Sequence, residues 1–306
     1  MKTIGESLKE MGLRDKVNEN LKKSFSDAKK NPDFKEFINK IYLSDNELMK
    51  YTSLIESSLE EYNNCKNCKS ILECKNKVRG HAYLPKVVNN NLEFSYKACK
   101  YKEKLIKETE HYKYVALYNA PSNMRGADMK KIYTKDSTRL DVISWLMKYL
   151  ENYPNNKKGL YLHGNFGSGK TYLISAMFME LAKKGYYSTI IFFPEFLTEI
   201  KGTFANNQDS RDLIYDVKTT KLLLIDDLGA ENMTAWVRDE VLSPILQYRM
   251  DNKLPTFFTS NLSLKDLENH LRITKDGDEV VKARRIIERI KELTESLELV
   301  SKNLRD

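Results

Sequence analysis

The run Gly164-Asn165-Phe166-Gly167-Ser168-Gly169-Lys170-Thr171 constrains this chain more than any other stretch. It fits G-x-x-x-x-G-K-T, the phosphate-binding P-loop, and its flanks agree with it. Gly159-Leu160-Tyr161-Leu162-His163 is short and apolar, as a buried strand should be, and from Tyr172 to Ala182 apolar residues recur at helical spacing. Phosphate binding needs this strand-to-helix turn. Glycines let the backbone bend around phosphate oxygens with no Cβ in the way. The helix N-terminus offers free N–H groups and the positive end of its dipole to the anion. Lys170 can reach the β- and γ-phosphates, and the Thr171 hydroxyl can ligate Mg²⁺. The loop from Gly164 to Thr171, with Tyr172 beside it, is therefore the expected ATP site.

Two further strands belong to the same chemistry. Lys221-Leu222-Leu223-Leu224-Ile225-Asp226-Asp227 is an apolar run ending in two acids. A buried parallel strand delivers such carboxylates at its C-terminal end, where the ligand crevice of the sheet lies. Asp226 is the expected Mg²⁺ partner, and Asp227 the residue that orients or deprotonates the attacking water. Leu254-Pro255-Thr256-Phe257-Phe258-Thr259-Ser260-Asn261 ends in an amide that could position the same water and sense the γ-phosphate. Later, Val281 to Ile290 reads as a basic helix. A phosphoryl-transfer site of this kind draws an arginine to the transition-state charge, often from a neighbouring subunit, and Arg284, Arg285 and Arg289 are the candidates.

The chain has 306 residues, enough for about two domains. With 41% hydrophobic and 31% charged residues it reads as globular, and no apolar run approaches the ~18 residues that span a bilayer. No apolar signal core follows Met1, so a cytoplasmic location without membrane contact is expected. The balance of 51 basic to 43 acidic residues permits a nucleic-acid partner without demonstrating one. Ahead of the P-loop, residues 1 to about 62 read as helices. Leu8, Met11, Leu13, Val17 and Leu21 mark one stripe, and Phe34, Phe37, Ile38 and Ile41 another after Asn31-Pro32.

All four cysteines fall between Cys65 and Cys99. Cys65-Lys66-Asn67-Cys68 puts two thiolates on one tight turn, suited to sharing a tetrahedral Zn²⁺. Cys74, Cys99 and His81 compete for the remaining two positions. Such a site would be structural, because a small domain with a thin core gains folding energy from its metal. The expected division is a helical, zinc-binding domain over 1–110, a charged linker and leading helix over 111–150, and an α/β P-loop domain with a parallel sheet over 151–306.

The run Ile225-Asp226-Asp227-Leu228-Gly229-Ala230-Glu231 resembles the Walker B signature of the bacterial replicative-helicase loaders, the DnaI/DnaC/IstB group of AAA+ ATPases. Met233 to Val241, Leu254 to Asn261 and the cysteine cluster ahead of the ATPase domain resemble its DnaI branch. The resemblance implies that Gly164, Gly169, Lys170 and Thr171 hold nucleotide and Mg²⁺, with Asp226 and Asp227 as Walker B and Asn261 as first sensor. It implies Arg289 as the arginine finger and Arg305 as the second sensor. The family's ligand His follows the cysteines, whereas Gly80-His81-Ala82-Tyr83 is shifted against that pattern, which favours four cysteine ligands. The implied function is to deliver a DnaB-type helicase hexamer onto single-stranded DNA at initiation or restart of replication. The N-terminal domain would grip the helicase, the AAA+ domain would self-associate, and other initiation proteins are further expected partners. Lys201 and Phe204 are a candidate cation-and-stacking pair for the strand. The competing readings are an ATPase assisting a transposase, as in the IstB branch, and a nucleotide-regulated adaptor without significant turnover.

Overall fold

The computed structural model describes residues 13–205, 211–275 and 277–304. The chain divides into two compact units, Met1–Thr109 and Glu110–Asp306.

In the first unit, helices α1 (Leu13–Ala28), α2 (Pro32–Ile38), α3 (Asp45–Leu48) and α4 (Thr52–Lys66) come first. Local chemistry sets their starts. The Asn31 side chain accepts the Asp33 N–H at 2.9 Å with Pro32 at the first helical position, and Ser44 and Glu47 form a capping box. Phe25, Phe34, Phe37, Ile38, Leu48, Ile55 and Leu59 close a small core. Leu8 and Met11 of the expected first stripe lie outside the described residues. Next comes a hairpin absent from the sequence reading: β1 (His81–Val88) pairs antiparallel with β2 (Asn91–Ala98). Asn89 and Asn90 turn it at φ 48° and 60°, the left-handed region a two-residue hairpin turn requires. Helix α4 covers the outer edge of β1. Glu61 accepts the Tyr83 N–H at 2.6 Å, and the Ser58 hydroxyl donates to the Tyr83 carbonyl at 2.6 Å. Helix α5 (Lys100–Thr109) ends the unit.

The second unit is built on one parallel sheet of six strands. These are β3 (Val115–Tyr118), β4 (Gly159–Gly164), β5 (Ser188–Phe192), β6 (Leu222–Asp226), β7 (Thr256–Ser260) and β10 (Thr294–Leu299), in the order β10-β4-β7-β6-β5-β3. A short hairpin, β8 (Ile273–Thr274) with β9 (Gly277–Asp278), lies outside the sheet. Helices α6 (Leu140–Asn152) and α7 (Lys170–Lys183) bury one face with Leu160, Leu162, Ile190, Leu222, Leu224 and Phe257. On the other face α8 (Phe193–Ala205), α10 (Ser243–Asp251), α11 (Leu264–Arg272) and α12 (Val280–Leu293) cover Tyr161, Ile191, Leu223, Ile225 and Phe258; α9 (Arg211–Thr219) precedes β6. Strands buried on both faces read as unbroken apolar runs, which is why β4 and β6 were visible in the sequence.

One expectation changes in this unit. Residues 111–150, read as linker and leading helix, supply the edge strand β3 and several short 3₁₀ turns before α6. Four residues, Val115-Ala116-Leu117-Tyr118, are too short a run to stand out among charged neighbours. Between β5 and β6 the chain forms two helices, α8 and α9, flanking residues outside the described set.

Candidate nucleotide site

Strand order creates the site. Strand β7 lies between β4, which feeds the P-loop, and β6, which ends in Asp226. The loop after β4 bends through Gly164, Gly167 and Gly169 at φ 141°, 73° and 85°. A Cβ on Gly164 would stand 2.1 Å from the Leu299 carbonyl oxygen, so this position admits only glycine. Gly169 then caps α7, whose first residue is Lys170.

Lys170 is 8% exposed. Its Nζ donates to the carbonyls of Gly164 (2.9 Å) and Asn165 (2.8 Å) and to Asn261 Oδ1 (2.8 Å). The Asn261 amide in turn donates through Nδ2 to Asp227 Oδ1 at 3.0 Å. Thr171 Oγ1 donates to Asp226 Oδ1 at 2.6 Å. Lys170, Thr171, Asp226, Asp227 and Asn261, separated by up to 91 residues, form one hydrogen-bonded cluster joined between the two acids by Thr259. Burial pushes the Asp226 carboxyl above the usual carboxylate range, against the bonds from Thr171 and Thr259. A buried carboxylate of this kind is a natural partner for a divalent cation, whose charge favours the ionised form.

Thr259 had no role in the sequence reading. Its hydroxyl donates to Asp226 Oδ1 at 2.6 Å and accepts the Asp227 N–H at 2.9 Å. It therefore orients both acids at once, and Asp227 sits at φ 58°, a conformation that needs such support. Nothing but its place two residues before Asn261 could have drawn attention to it.

A cavity of about 870 Å³ opens on this cluster. Its floor is Gly167, Gly169, Lys170, Thr171, Asp226, Asp227 and Asn261. Its wall is the segment expected to be a linker, with Asn119, Pro121, Met124, Lys131 and Tyr133. That wall is fastened to α7, where the Tyr172 hydroxyl accepts the Asp128 N–H at 3.2 Å. Phe166, at the tip of the loop, lines the cavity while 76% exposed. The segment after β10 fastens the other side. Asn165 Nδ2 donates to the Ser301 carbonyl (2.9 Å), Leu304 N donates to the Gly167 carbonyl (2.9 Å), and the Ser168 hydroxyl donates to Asn165 (2.9 Å) within the loop.

Other expected residues lie elsewhere. Arg289, on α12, donates to Ser243 Oγ at 2.6 Å and borders a separate hollow with Met250, Val281, Arg284, Arg285 and Glu288, so within one chain it does not meet the cavity. Arg305 and the Phe204 side chain lie outside the described residues, and Lys201 is exposed.

In the first unit, Cys65, Cys68, Cys74 and Cys99 carry no disulfide. Asn76 Nδ2 donates to Cys65 Sγ at 3.3 Å and Gly80 N to Cys74 Sγ at 3.3 Å, while the Gly80 carbonyl accepts the Cys99 N–H at 2.9 Å. Burial raises the Cys65 thiol pKa, and charge on Cys68, Cys74 and Cys99 raises it further against the Asn76 bond. Among the described residues, however, no three His, Cys, Asp or Glu side chains draw close enough to form a metal-binding group. His81 faces Arg79, its Nδ1 3.2 Å from that carbonyl. Also among the described residues, no helix is long and apolar enough to cross a membrane.

Comparisons with known proteins agree with this geometry. The family of IstB-like ATP binding proteins matches residues 126–305. The replicative helicase loader DnaI of Bacillus subtilis (strain 168) is 35% identical over 317 aligned positions, covering 100% of this chain and 99% of that protein. The replicative helicase loader DnaC of Escherichia coli (strain K12) is 25% identical over 130 positions, 42% of this chain and 53% of that protein. A crystal structure of DnaI, 38% identical, superposes with a TM-score of 0.54 over 63% of this chain and 98% of that one. With a P-loop, a paired-acid strand and an intervening strand leading to Asn261 on one parallel sheet, the chain belongs to the family of IstB-like ATP binding proteins, in the group of replicative helicase loaders that includes DnaI and DnaC.

Proposed function

We propose that this chain is an ATP-dependent loader that delivers the replicative DNA helicase onto single-stranded DNA at initiation or restart of replication, in the cytoplasm. The observation that carries the reading is the match to a helicase loader across both units, not the ATPase alone. A P-loop domain by itself would fit an ATPase assisting a transposase equally well. The division of labour follows the two units. Residues 1–110 grip the helicase hexamer, and 151–306, with the wall from 111–150, bind ATP and the strand.

Within the ATP site, the N–H groups of Gly164 to Tyr172 and the Lys170 ammonium hold the phosphates. Thr171 and Asp226 hold Mg²⁺, which supplies charge neutralisation on the phosphates. Asp227 orients the attacking water, and Asn261, bonded to both Lys170 and Asp227, registers the γ-phosphate. Arg289 lies away from its own cavity, which suits a finger offered to the nucleotide of a neighbouring copy. Arg305 serves as second sensor. Turnover is slow and stimulated by DNA or by the helicase. Other initiation proteins bind the assembled complex.

The four thiols hold a structural Zn²⁺. N–H donors directed at Cys65 and Cys74 suit sulfurs carrying negative charge, which supports a thiolate site with His81 left out. Native mass measurement of the full chain with the replicative helicase of the same organism tests the reading. An ATP-sensitive complex is expected, and no complex under any nucleotide condition contradicts it.

A further inference from the structure

Arg139 is 1% exposed, and among the described residues its guanidinium has no ion-pair partner. It closes the 3₁₀ turn Ser137–Arg139 that leads into α6. One nitrogen, Nη1, donates to the Ser168 carbonyl inside the P-loop and to Ser301 Oγ, 3.4 Å away, in the segment after β10. Its Nε is buried with no partner. The acid nearest in effect is Asp136, whose carboxylate takes the Ser301 hydroxyl at 2.6 Å instead. Burial lowers the guanidinium pKa and Asp136 only partly offsets this. The side chain lines the same cavity as Lys170, and its Nη2 lies 3.5 Å from where a Cβ on Gly169 would stand.

A buried cation without a counter-charge is unfavourable until an anion arrives. Both bonds of this cation end on the P-loop and on the chain segment that fastens it. A carbonyl held by a cation also polarises its peptide, making the Gly169 N–H a stronger donor.

We propose that Arg139 is a positioning residue of the nucleotide site: a second buried cation that ties the P-loop to Ser301 and is compensated when the phosphates of a nucleoside di- or triphosphate enter. This rests on the ATP-binding reading above. It predicts an unusual signature. Neutralising Arg139 removes an uncompensated charge together with its two bonds and so leaves the empty protein little changed while harming the filled one, whereas a merely structural arginine would destabilise both.

The test uses the full-length chain and the variants Arg139→Gln and Arg139→Lys. Thermal unfolding is recorded alone and with Mg-ATP or Mg-ADP, with dissociation constants for ATP, ADP and AMP. For Arg139→Gln the expected result is unfolding near the wild-type temperature without nucleotide. Its ATP and ADP constants rise about tenfold, the worth of one lost charge-assisted interaction, with a smaller effect on AMP. Arg139→Lys keeps the charge but not the two-ended reach, and recovers part of the affinity. ATP and ADP binding equal to wild type in either variant overturns the assignment. So does a loss of stability in the empty protein as large as in the filled one. Should Arg139→Gln not fold, Arg139→Lys decides on the same criteria. Wild-type protein that binds neither nucleotide defeats the ATP reading itself, a result separate from any variant's.

Discussion

At the scale of single residues, the nucleotide site is a chain of hydrogen bonds that nucleotide must rearrange. Lys170 is held by Asn261 and two loop carbonyls, so its ammonium is stationed where phosphate oxygens would compete for it. Lys170→Ala is expected to weaken ATP binding by about 10- to 100-fold, the range for bonds to a charged group. Unchanged ATP affinity by calorimetric titration would contradict the assignment. Thr259→Val keeps the shape of the side chain but removes the hydroxyl that accepts the Asp227 N–H, and it leaves Asp226 with one donor fewer. Turnover should fall and the Mg²⁺ concentration for half-maximal hydrolysis should rise, with Thr259→Ser restoring both. If Thr259→Val matches wild type in Mg²⁺ dependence, the threonine does not orient the acids. Lys170, Asp226 and Asn261 were legible in the sequence because each belongs to a short motif with a mechanism. Thr259 and Arg139 were not, because their meaning depends on partners 32 or more and 29 or more residues away.

At the scale of elements, the sheet was legible where strands are buried on both faces and hidden where they are not. Strands β4, β6 and β7 announce themselves as apolar runs, but β3 is a four-residue edge strand. The hairpin β1–β2 is interrupted by Pro85, Lys86, Glu93 and Lys97, and its turn is an Asn-Asn pair rather than the commoner Asn-Gly. Joining elements also depends on Arg249, fully buried on α10. Its guanidinium donates to Thr256 Oγ1 (2.7 Å) and to the carbonyls of Pro255 (2.8 Å), Thr220 (2.8 Å), Lys218 (3.2 Å) and Val217 (3.4 Å). One side chain thus ties the end of α9 to the starts of β6 and β7, although burial lowers its pKa to about 9. Arg249→Met would leave these acceptors unpaired and should cost at least about 3 kcal/mol in urea unfolding. A change under 1 kcal/mol would mean that the carbonyls find other partners. In the first unit the cysteine neighbourhood makes a direct prediction. Purified protein should release about one zinc per chain to a colorimetric chelator, and Cys65→Ser should abolish that release. Metal-free protein with unchanged unfolding of residues 1–109 would remove zinc from the account.

At the scale of the whole molecule, the proposed function pairs a unit that grips the helicase with an ATPase whose proposed finger, Arg289, lies away from its own P-loop cavity. If Arg289 completes the site of a neighbouring copy, activity should rise with protein concentration, and Arg289→Ala should spare ATP binding while lowering turnover. Loss of both together would make Arg289 a structural residue of α12. Delivery of helicase to single strands can be read from retention of the replicative helicase on circular single-stranded DNA, because a closed ring cannot thread a circle without being opened. Stable retention should require both this protein and ATP, and should fail with Lys170→Ala. Equal retention without the protein would contradict it, and would leave an ATPase whose client is another assembly.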